Sequence, residues 1–569
     1  MPARKNSCMM PEALRRALER ERIWLRSEEL PKDSFLQYYV DVGHIRALDS
    51  NANHLVSGRR GTGKTHLLGA FKEYINKSSK NTFAIMISIL ELSGSSTMTQ
   101  GYIQSDRLAR ISARNQFNQF IRIFFDRFLF RISEHTSGLP HLEKRIVDNL
   151  LQDLLSEIEL GSNFSEILNP DIDEDGSDRL ANPSSVTFDP EHMIEETSDK
   201  STPTSGSIDH QRVRMLVDKI LQASGVELMH LLIDEWMELD KNIPSRVQND
   251  FSQYLKKMFF NSNRISVVIA SIWNQTSLYE RSDMDTSAGI QIGHDIEHTV
   301  DLDTSFFDAE EEIKTFCKKL LFLRLSKKSP DLRKFELANG DIDDVFLVDV
   351  FDTPQNFKVF VAASHGIPRE LMKIFQKASH KIQNDFQNNC ICQRTIDLVA
   401  QNIYRQEKRE TISPGSATKA MWARINDYMY QEKRRVFIIK DGAQKTSRAF
   451  RALIDHELIH ELPMGSLPRW VRNKNRAFHI DYGNYVDWMQ VHSSTIDEIV
   501  MESILPSWEG IEPSDLPNLT VEVLPDKDLY VICLHCEGLN LRDHPAFKKH
   551  GFCLNCGENP EFERSLVVT

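Results

Sequence analysis

Residues 57–68 read SGRRGTGKTHLL, and this glycine-rich stretch is the most specific chemical signal in the chain. From Gly58 to Thr65 it satisfies the pattern G-x-x-x-x-G-K-[ST]. The preceding text, NANHLV, is typical of a strand, and the following text, THLLGAFKEYINK, has apolar residues at helical spacing. A strand, a glycine-rich loop and a helix in this order predict a phosphate-binding loop.

The chemistry of such a loop indicates what each part contacts. Backbone N–H groups turn inward around the phosphates, and the helix N-terminus adds its partial positive charge. Lys64 reaches the outer phosphates, and the Thr65 hydroxyl ligates Mg²⁺. The predicted nucleotide-binding residues are Gly58, Arg59, Arg60, Gly61, Thr62, Gly63, Lys64, Thr65 and His66, together with Asp234.

Asp234 belongs to a second predicted element, the apolar strand in MHLLIDEW. A phosphate loop requires an acid that helps to hold Mg²⁺, and a second acid beside it can polarise the attacking water. We therefore predict that Asp234 serves the metal and that Glu235 is the general base. Taken alone, Glu235 would be interpreted as a solvated residue at a strand end.

The phosphate loop and the acidic strand end together resemble those of the AAA+ ATPases, which implies ATP as the nucleotide and hydrolysis as the reaction. The strand VVIASIWNQ ends where that superfamily places its first sensor, so Asn274 is the candidate and Ser271 the alternative. ASHGIPRELMKIF at 362–375 resembles the second-sensor segment of the origin-recognition and replication-initiator clade, and also the G-x-P segment of the related STAND signalling ATPases. It implies a nucleotide-sensing role for Arg369. Arg281 is the positional candidate for an arginine finger.

The predicted fold class is an α/β P-loop NTPase core, a parallel sheet flanked by helices, followed by an α-helical lid, a winged helix and a small zinc ribbon. The apolar runs predict core strands at 81–90, 227–234, 264–272 and 297–304. The predicted domains are an N-terminal helical segment (1–35), the ATPase core (36–304) with a disordered acidic insertion at about 156–208, the lid (305–410), the winged helix (415–490), a connector (491–530) and the zinc ribbon (531–569).

Charge is distributed unevenly along the chain. The formal net charge is −13, yet the segment 433–476 contains eleven Lys and Arg residues against four Asp and Glu. A basic winged helix of this kind is expected to contact the phosphates of duplex DNA, with Arg469, Arg472, Lys474 and Arg476 as the candidates. The alternative is that the winged helix packs on the ATPase core or on a protein partner.

Two cysteine pairs stand near the C-terminus, in CLHCEGLNLRDHPAFKKHGFCLNC. Cys533, Cys536, Cys553 and Cys556 offer four thiolates at spacings that suit tetrahedral Zn²⁺, so we predict a structural zinc site. Four thiolates leave no position for a reactive water.

The remaining composition limits the class of protein. A chain of 569 residues with 40% hydrophobic and 27% charged residues is typical of a multidomain globular protein. It has no apolar run long enough for a membrane span and no signal peptide at its N-terminus, so we expect a cytoplasmic protein. The sequence leaves a homo-oligomer open.

These features favour an ATP-hydrolysing AAA+ switch that couples nucleotide state to DNA binding or assembly. The alternative is a STAND-like signalling ATPase that acts through a protein partner, for instance in phage defence. Glu235 argues against a third interpretation, a scaffold that holds nucleotide without hydrolysis.

Overall fold

The computed structural model divides into two compact units. The first, called the N-terminal unit, comprises Leu30–Gly58 and Lys64–Asp301, and the second, the C-terminal unit, comprises Arg59–Gly63 and Leu302–Thr569. The structure describes residues 30, 33–78, 81–93, 106–162, 209–239, 247–272, 275–281, 287–303, 310–338, 340–383, 390–413, 416–432, 434–443, 447–462, 467–472, 474–492, 512–524, 530–532, 539–541, 552–553 and 556–557.

The N-terminal unit alternates strands and helices. Its helices are α1 (Phe35–Tyr38), α2 (His44–Leu48), α3 (Lys64–Ser78), α4 (Ile89–Ser93), α5 (Asp106–Thr136), α6 (His141–Ser162), α7 (His210–Ala223) and α8 (Val247–Leu255), which runs into a π-helical turn at Lys256–Phe260. Its strands are β1 (His54–Ser57), β2 (Thr82–Ser88), β3 (Leu228–Asp234), β4 (Ile265–Ser271), β5 (Tyr279–Arg281), β6 (Ser287–Gly289) and β7 (His298–Asp301).

Five of these strands form one parallel sheet in the order β2-β3-β4-β1-β7. The predicted parallel sheet flanked by helices is therefore confirmed. Parallel strands are covered on both faces, which is why β3 and β4 are continuous apolar runs in the sequence. The strands β5 and β6 form a separate antiparallel hairpin.

Aromatic side chains pack the long helix α5 against helix α8 and the π-helical turn that follows it. Phe124 lies with its ring centroid 5.1 Å from that of Phe251, and Phe128 lies 5.4 Å from Phe259. All four are fully buried. The segment FIRIFFDRFLFRI is thus amphipathic: its buried apolar residues lie on one face of α5, and its charged residues lie on the other face.

The helix α6 was not predicted from the sequence, and it corrects the boundary of the insertion. It extends to Ser162, so residues 156–162 are helical although the acidic insertion was expected to begin at 156. The rest of that insertion, 163–208, lies outside the described residues.

Helices make up most of the first half of the C-terminal unit. They are α9 (Glu310–Lys328), α10 (Val345–Phe351), α11 (Pro354–Ala363), α12 (Pro368–Gln383) and α13 (Gln393–Ile403), which continues as a π-helical turn at Tyr404–Lys408. Their shared core is aromatic: the rings of Phe351 and Phe360 lie 4.9 Å apart, and that of Phe375 lies 6.1 Å from Phe360.

The second half of this unit is built on three antiparallel strands. Its elements are α14 (Ala417–Glu432), β8 (Val436–Lys440), α15 (Arg448–Asp455), β9 (Ile459–Glu461), α16 (Arg469–Arg472), β10 (Asn475–Ile480), α17 (Tyr482–His492), α18 (Leu516–Leu519), β11 (Tyr530–Ile532) and β12 (Leu539–Leu541). The sheet has the order β8-β10-β9. Phe437 of β8 and Phe478 of β10 pack together with Phe450 of helix α15.

No helix among the described residues is long and apolar enough to cross a membrane. The predicted N-terminal segment and most of the predicted connector and zinc ribbon lie outside the described residues, so those domain boundaries stay predictions.

Candidate nucleotide site

The phosphate loop follows β1 and ends in the first turn of α3, as its motif predicts. Gly61 and Gly63 have φ angles of 86° and 99°, a region that residues with a Cβ rarely adopt. These two glycines therefore allow the chain to turn tightly before the helix begins. His66, one turn into α3, hydrogen-bonds through Nε2 to the Phe35 carbonyl and packs its ring on Tyr39.

Lys64 is nearly buried, and its ammonium donates to the carbonyl oxygen of Gly58 at 2.8 Å. A buried ammonium needs acceptors, because burial without them disfavours its charge. The Gly58 carbonyl supplies one such acceptor, and the contact of Lys64 with phosphate oxygens stays a prediction.

In the C-terminal unit, the loop residue Arg59 is held by Asp303. The Arg59 backbone N–H and its Nε donate to the two carboxylate oxygens at 2.8 and 2.9 Å. The Thr62 hydroxyl also donates to the Arg59 carbonyl at 2.9 Å. Asp303 was missed in the sequence because it lies 244 positions away and belongs to no motif.

Asp234 and Glu235 stand at the carboxyl end of β3, two strands from β1 in the same parallel sheet. In open α/β sheets, ligands bind outside the carboxyl ends of the strands. Asp234 is buried, and its Oδ1 accepts the Glu235 N–H at 2.9 Å. The Asp234 carboxylate and the Thr65 hydroxyl are oxygen donors of the kind that Mg²⁺ prefers, so their chemistry fits the metal, and their role as ligands stays a prediction.

Glu235 has φ 58° and ψ 40°, the left-handed conformation, which is costly for a residue with a side chain. Its Oε2 accepts a hydrogen bond from the Ser88 hydroxyl at 3.1 Å. Ser88 is the last residue of β2, so the same sheet edge supplies both groups. The polar residue that ends the apolar run AIMIS is the signal in the sequence that could have indicated this partner.

The candidates for the first sensor have different outcomes. Asn274 lies outside the described residues. Ser271, the alternative, is fully buried at the end of β4, and its Oγ accepts from the Thr276 hydroxyl at 2.6 Å. Arg281 falls in the hairpin strand β5. The roles of these three residues stay predictions.

Arg369 lies directly against the phosphate loop within the C-terminal unit. Its backbone N–H donates to the Gly61 carbonyl at 3.3 Å. A Cβ built on Gly61 would come within 2.8 Å of the Arg369 Cβ and 3.2 Å of the Ile367 Cγ2. The G-x-P segment at 366–368 thus delivers the start of α12 to the loop, and Gly61 permits the close approach.

A buried polar cluster occupies the same unit one residue further along α12. Glu370 is buried, and its Oε2 lies 3.0 Å from the ammonium of Lys408, which also donates to Oδ2 of Asp481 at 2.8 Å. Lys408 lies in the π-helical turn after α13, and Asp481 lies between β10 and α17. Nothing in the sequence text YRQEKRE distinguishes this lysine from a surface residue.

Three histidines border that cluster. The rings of His365 and His460 are stacked 3.8 Å apart, and His460 Nε2 lies 3.6 Å from Asp481 Oδ2. Burial, with the nearby cation Lys408 adding to it, lowers the pKa of His460 to about 4, although the neighbouring Asp481 opposes this shift. Burial likewise holds the pKa of His365 and of His479 well below the ordinary value, so all three are neutral at physiological pH.

The basic segment is only partly available on the surface. The exposed cations among its described residues are Arg434, Lys440, Arg448, Arg469, Arg472 and Lys474. Arg435 is buried over the rings of Tyr482 and Tyr485, and Arg476 is paired with Asp441 at 2.9 Å and Glu461 at 3.2 Å, so those two guanidinium groups are already neutralised or enclosed.

Among the four cysteines predicted to bind zinc, Cys553 is buried and Cys556 is exposed. Cys533 and Cys536 lie outside the described residues, between β11 and β12. The zinc site stays a prediction.

Comparison with known proteins gives distant likenesses only. No protein-family model matches the chain, and no curated protein matches it. Among solved structures, the Walker-type ATPase of Pyrococcus abyssi is 14% identical, with 82% of this chain and 100% of that chain covered and a TM-score of 0.32. The ORC1 protein of Aeropyrum pernix in complex with DNA is 11% identical, with 83% and 96% covered and a TM-score of 0.28. The Drosophila ORC bound to DNA is 11% identical, with 86% and 94% covered and a TM-score of 0.29.

These TM-scores are low, and the assignment depends on the strand order, the phosphate loop after β1 and the acidic end of β3. With those features, the N-terminal unit has the predicted fold of an α/β P-loop NTPase core, a parallel sheet flanked by helices.

Proposed function

We propose that this protein binds ATP with Mg²⁺, hydrolyses it, and uses the nucleotide state to control its binding to duplex DNA. The observation that carries the proposal is the shared sheet edge of the N-terminal unit. There the phosphate loop follows β1, and the Asp234–Glu235 pair follows β3. A scaffold that only held nucleotide would not need a second acid at that position.

The proposed roles follow from the contacts described. Lys64 exchanges its Gly58 carbonyl partner for the outer phosphates of ATP. Thr65 and Asp234 hold Mg²⁺, which neutralises charge on the phosphates when bound. Glu235 orients the attacking water and accepts its proton once its carboxylate turns away from the Ser88 hydroxyl.

Arg369 supplies the second-sensor function in this proposal. A guanidinium stays charged at all physiological pH values and binds phosphate oxygens through a planar fork. Its backbone contact with Gly61 supports the assignment, because that contact makes the start of α12 responsive to the conformation of the loop.

The DNA-binding part is supported by the second half of the C-terminal unit. This half fits a winged helix in two respects. Its elements follow one another in the order α14, β8, α15, β9 and β10, and its sheet has the order β8-β10-β9. Helix α15 begins with the exposed Arg448, and the connection between β9 and β10 carries Arg469 and Lys474. Exposed cations on a helix and a wing can contact phosphates on one duplex.

The second candidate function is a STAND-like signalling ATPase that acts through a protein partner. One observation favours it: Arg435 is buried and Arg476 is paired with two acids, so the surface is less basic than the sequence count indicates. In this alternative the domain built on β8, β9 and β10, here called the three-stranded domain, contacts a protein partner, and DNA has no effect on hydrolysis.

Steady-state ATP hydrolysis with and without duplex DNA tests the proposal. The wild-type protein should hydrolyse ATP, and Lys64→Ala and Glu235→Gln should abolish turnover. Glu235→Gln should still bind ATP, because it retains the loop and Asp234. Absence of hydrolysis in the wild-type protein, or full activity of Glu235→Gln, would refute the assigned chemistry.

DNA affinity is measured in parallel by fluorescence anisotropy over a series of salt concentrations. The triple variant Arg448→Ala, Arg469→Ala, Lys474→Ala should flatten the plot of log K against log salt by roughly 3 units, about 0.9 per lost phosphate contact. The matched control Lys144→Ala, Arg145→Ala, Lys219→Ala removes three exposed cations from the N-terminal unit and should leave the slope unchanged. Equal effects of both triples would favour the protein-partner alternative.

A further inference from the structure

The strongest unexplained feature of the molecule is the buried charge cluster of Glu370, Lys408 and Asp481. All three residues are nearly inaccessible to solvent. Buried charges are costly unless they are paired, and pairs of this kind stabilise a fold less than apolar residues of similar volume. The proposed chemistry of ATP hydrolysis uses none of the three.

The cluster joins the start of α12, which contacts the phosphate loop, to the three-stranded domain. The proposed function also couples these two parts. Glu370 follows Arg369 directly and lies in the first turn of α12, whose start contacts Gly61 of the phosphate loop. Asp481 lies on the other side, where its Oδ1 accepts the Asn484 N–H at the start of α17 and its residue follows strand β10.

Lys408 connects the two carboxylates. Its ammonium lies 3.0 Å from Glu370 Oε2 and 2.8 Å from Asp481 Oδ2. The residue lies in a π-helical turn, a wide turn that often occurs at functional positions in helices. A displacement of α12 would change the distance from Lys408 to Glu370, the distance from Lys408 to Asp481, or both.

A metal ion is the other occupant that these side chains suggest. Donor atoms of His365, His460 and Asp481 lie within 4.8 Å of one another. The Asp481 carboxylate, however, already accepts the Lys408 ammonium on Oδ2 and the Asn484 N–H on Oδ1. A divalent cation would have to displace an ammonium that is held beside it, so the geometry favours the ion-pair chain.

We infer that Lys408 is a positioning residue that transmits the state of the phosphate loop, through Arg369 and Glu370, to Asp481 and the three-stranded domain. The inference depends on the proposed function, because it assumes that ATP moves the start of α12. It predicts that charge at Lys408 is needed for communication between nucleotide and the domain, and that it is dispensable for ATP binding itself.

Amide hydrogen exchange of strands β9 and β10 and helix α17, measured with and without ATP in Mg²⁺, tests this communication directly. ATP should change the exchange of these elements in the wild-type protein. Lys408→Met removes the charge and should abolish that change. Lys408→Arg keeps a cation and should restore at least part of the ATP-dependent change in exchange. A purely structural role of Lys408 would not predict this rescue.

Lys408→Met takes the cation away from the buried Asp481 and leaves Glu370 with Lys373 alone, at 3.6 Å, so this variant could fail to fold. The second variant is therefore the triple replacement Glu370→Gln, Lys408→Met, Asp481→Asn, which removes all three charges together and avoids an unpaired ion. It should bind fluorescent ATP analogue within about twofold of the wild-type affinity, an effect near 0.4 kcal/mol, while its β9, β10 and α17 exchange no longer responds to ATP.

The outcomes separate the two proposals. If the wild-type protein does not bind ATP, the proposed function fails. If it binds ATP and hydrolyses it, but the charge-free triple variant shows the same nucleotide-dependent exchange as the wild-type protein, the function stands and the role of Lys408 is overturned.

Discussion

The close approach of Arg369 to Gly61 can be tested by adding a single methyl group. Gly61→Ala places a Cβ 2.8 Å from the Arg369 Cβ and 3.2 Å from the Ile367 Cγ2, well inside normal carbon contact distances of about 3.5–4.0 Å. The start of α12 must therefore move away from the loop. The substitution also forces an alanine into φ 86°, at a cost of about 1–2 kcal/mol, and the overlap adds about 1–3 kcal/mol.

The effect on hydrolysis follows from the role proposed for Arg369. A charge-assisted hydrogen bond contributes about 1.5–3 kcal/mol, so its loss in the transition state lowers kcat roughly 10- to 150-fold. The assay is steady-state hydrolysis at saturating ATP by Gly61→Ala, Arg369→Ala and the double variant. If both single substitutions act through the same guanidinium, the double variant should be no slower than the slower single variant.

Gly340→Ala is the matched control in the same unit. Gly340 has φ 77° and nothing within 4 Å of the added Cβ, so this substitution introduces the backbone strain without the overlap. It should leave hydrolysis unchanged. Wild-type turnover by Gly61→Ala would refute the reasoning, and so would a double variant whose loss equals the product of the two single losses.

Three further predictions concern the N-terminal unit. Ser88→Ala frees the Glu235 carboxylate from a hydrogen bond and should raise basal ATP hydrolysis by roughly 2- to 10-fold, as expected for about 0.5–1.5 kcal/mol; an unchanged or lower rate would show that Ser88 does not restrain Glu235. His230 is fully buried, its ring nitrogens have no hydrogen-bond partner within the part of the chain that the structure describes, and burial lowers its pKa to about 4. Because the unfolded chain binds the proton first, the free energy of unfolding should fall by up to about 1.4 kcal/mol per pH unit as pH drops from 6.5 to 4, a loss that His230→Leu should diminish in urea titrations. Gly69→Ala builds a Cβ 2.4 Å from the ring of Phe35, so it should lower the unfolding free energy by about 1–2 kcal/mol despite the better helix propensity of alanine, and Phe35→Leu should reverse the penalty in thermal unfolding.

The sequence predicted those parts of the fold that depend on local pattern. The strands β3 and β4 are continuous apolar runs, which is the pattern of a strand buried on both faces, and both lie within a residue or two of their predicted bounds. The phosphate loop has its own motif. Helix α6 was not predicted, although HLEKRIVDNLLQDLLSEIEL has apolar residues at helical spacing, and its last seven residues were assigned to the acidic insertion.

The contacts that organise the candidate site were harder to predict, because they join residues that are distant in the sequence. Asp303 and Ser88 each lie more than a hundred positions from their partners and carry no recognisable spacing. Lys408 stands among other charged residues, and only the packing of the C-terminal unit shows that its charge is buried. Arg435 is the opposite case. The basic sequence around it indicated a surface cation, but its side chain is buried over the rings of Tyr482 and Tyr485.

The position of β1 between β4 and β7 has a consequence for biosynthesis. His54 pairs with Val268 on one side and His298 on the other, so the strand that leads into the phosphate loop has neither neighbour until the ribosome has made most of the unit. At about 5–20 residues per second, that interval is roughly 10 to 40 s. During it, the β1 residues lack both partner strands, and unpaired strand edges are templates for aggregation. The nascent chain thus completes the sheet around the proposed ATP site late, so under this proposal ATP does not assist the earliest stages of folding.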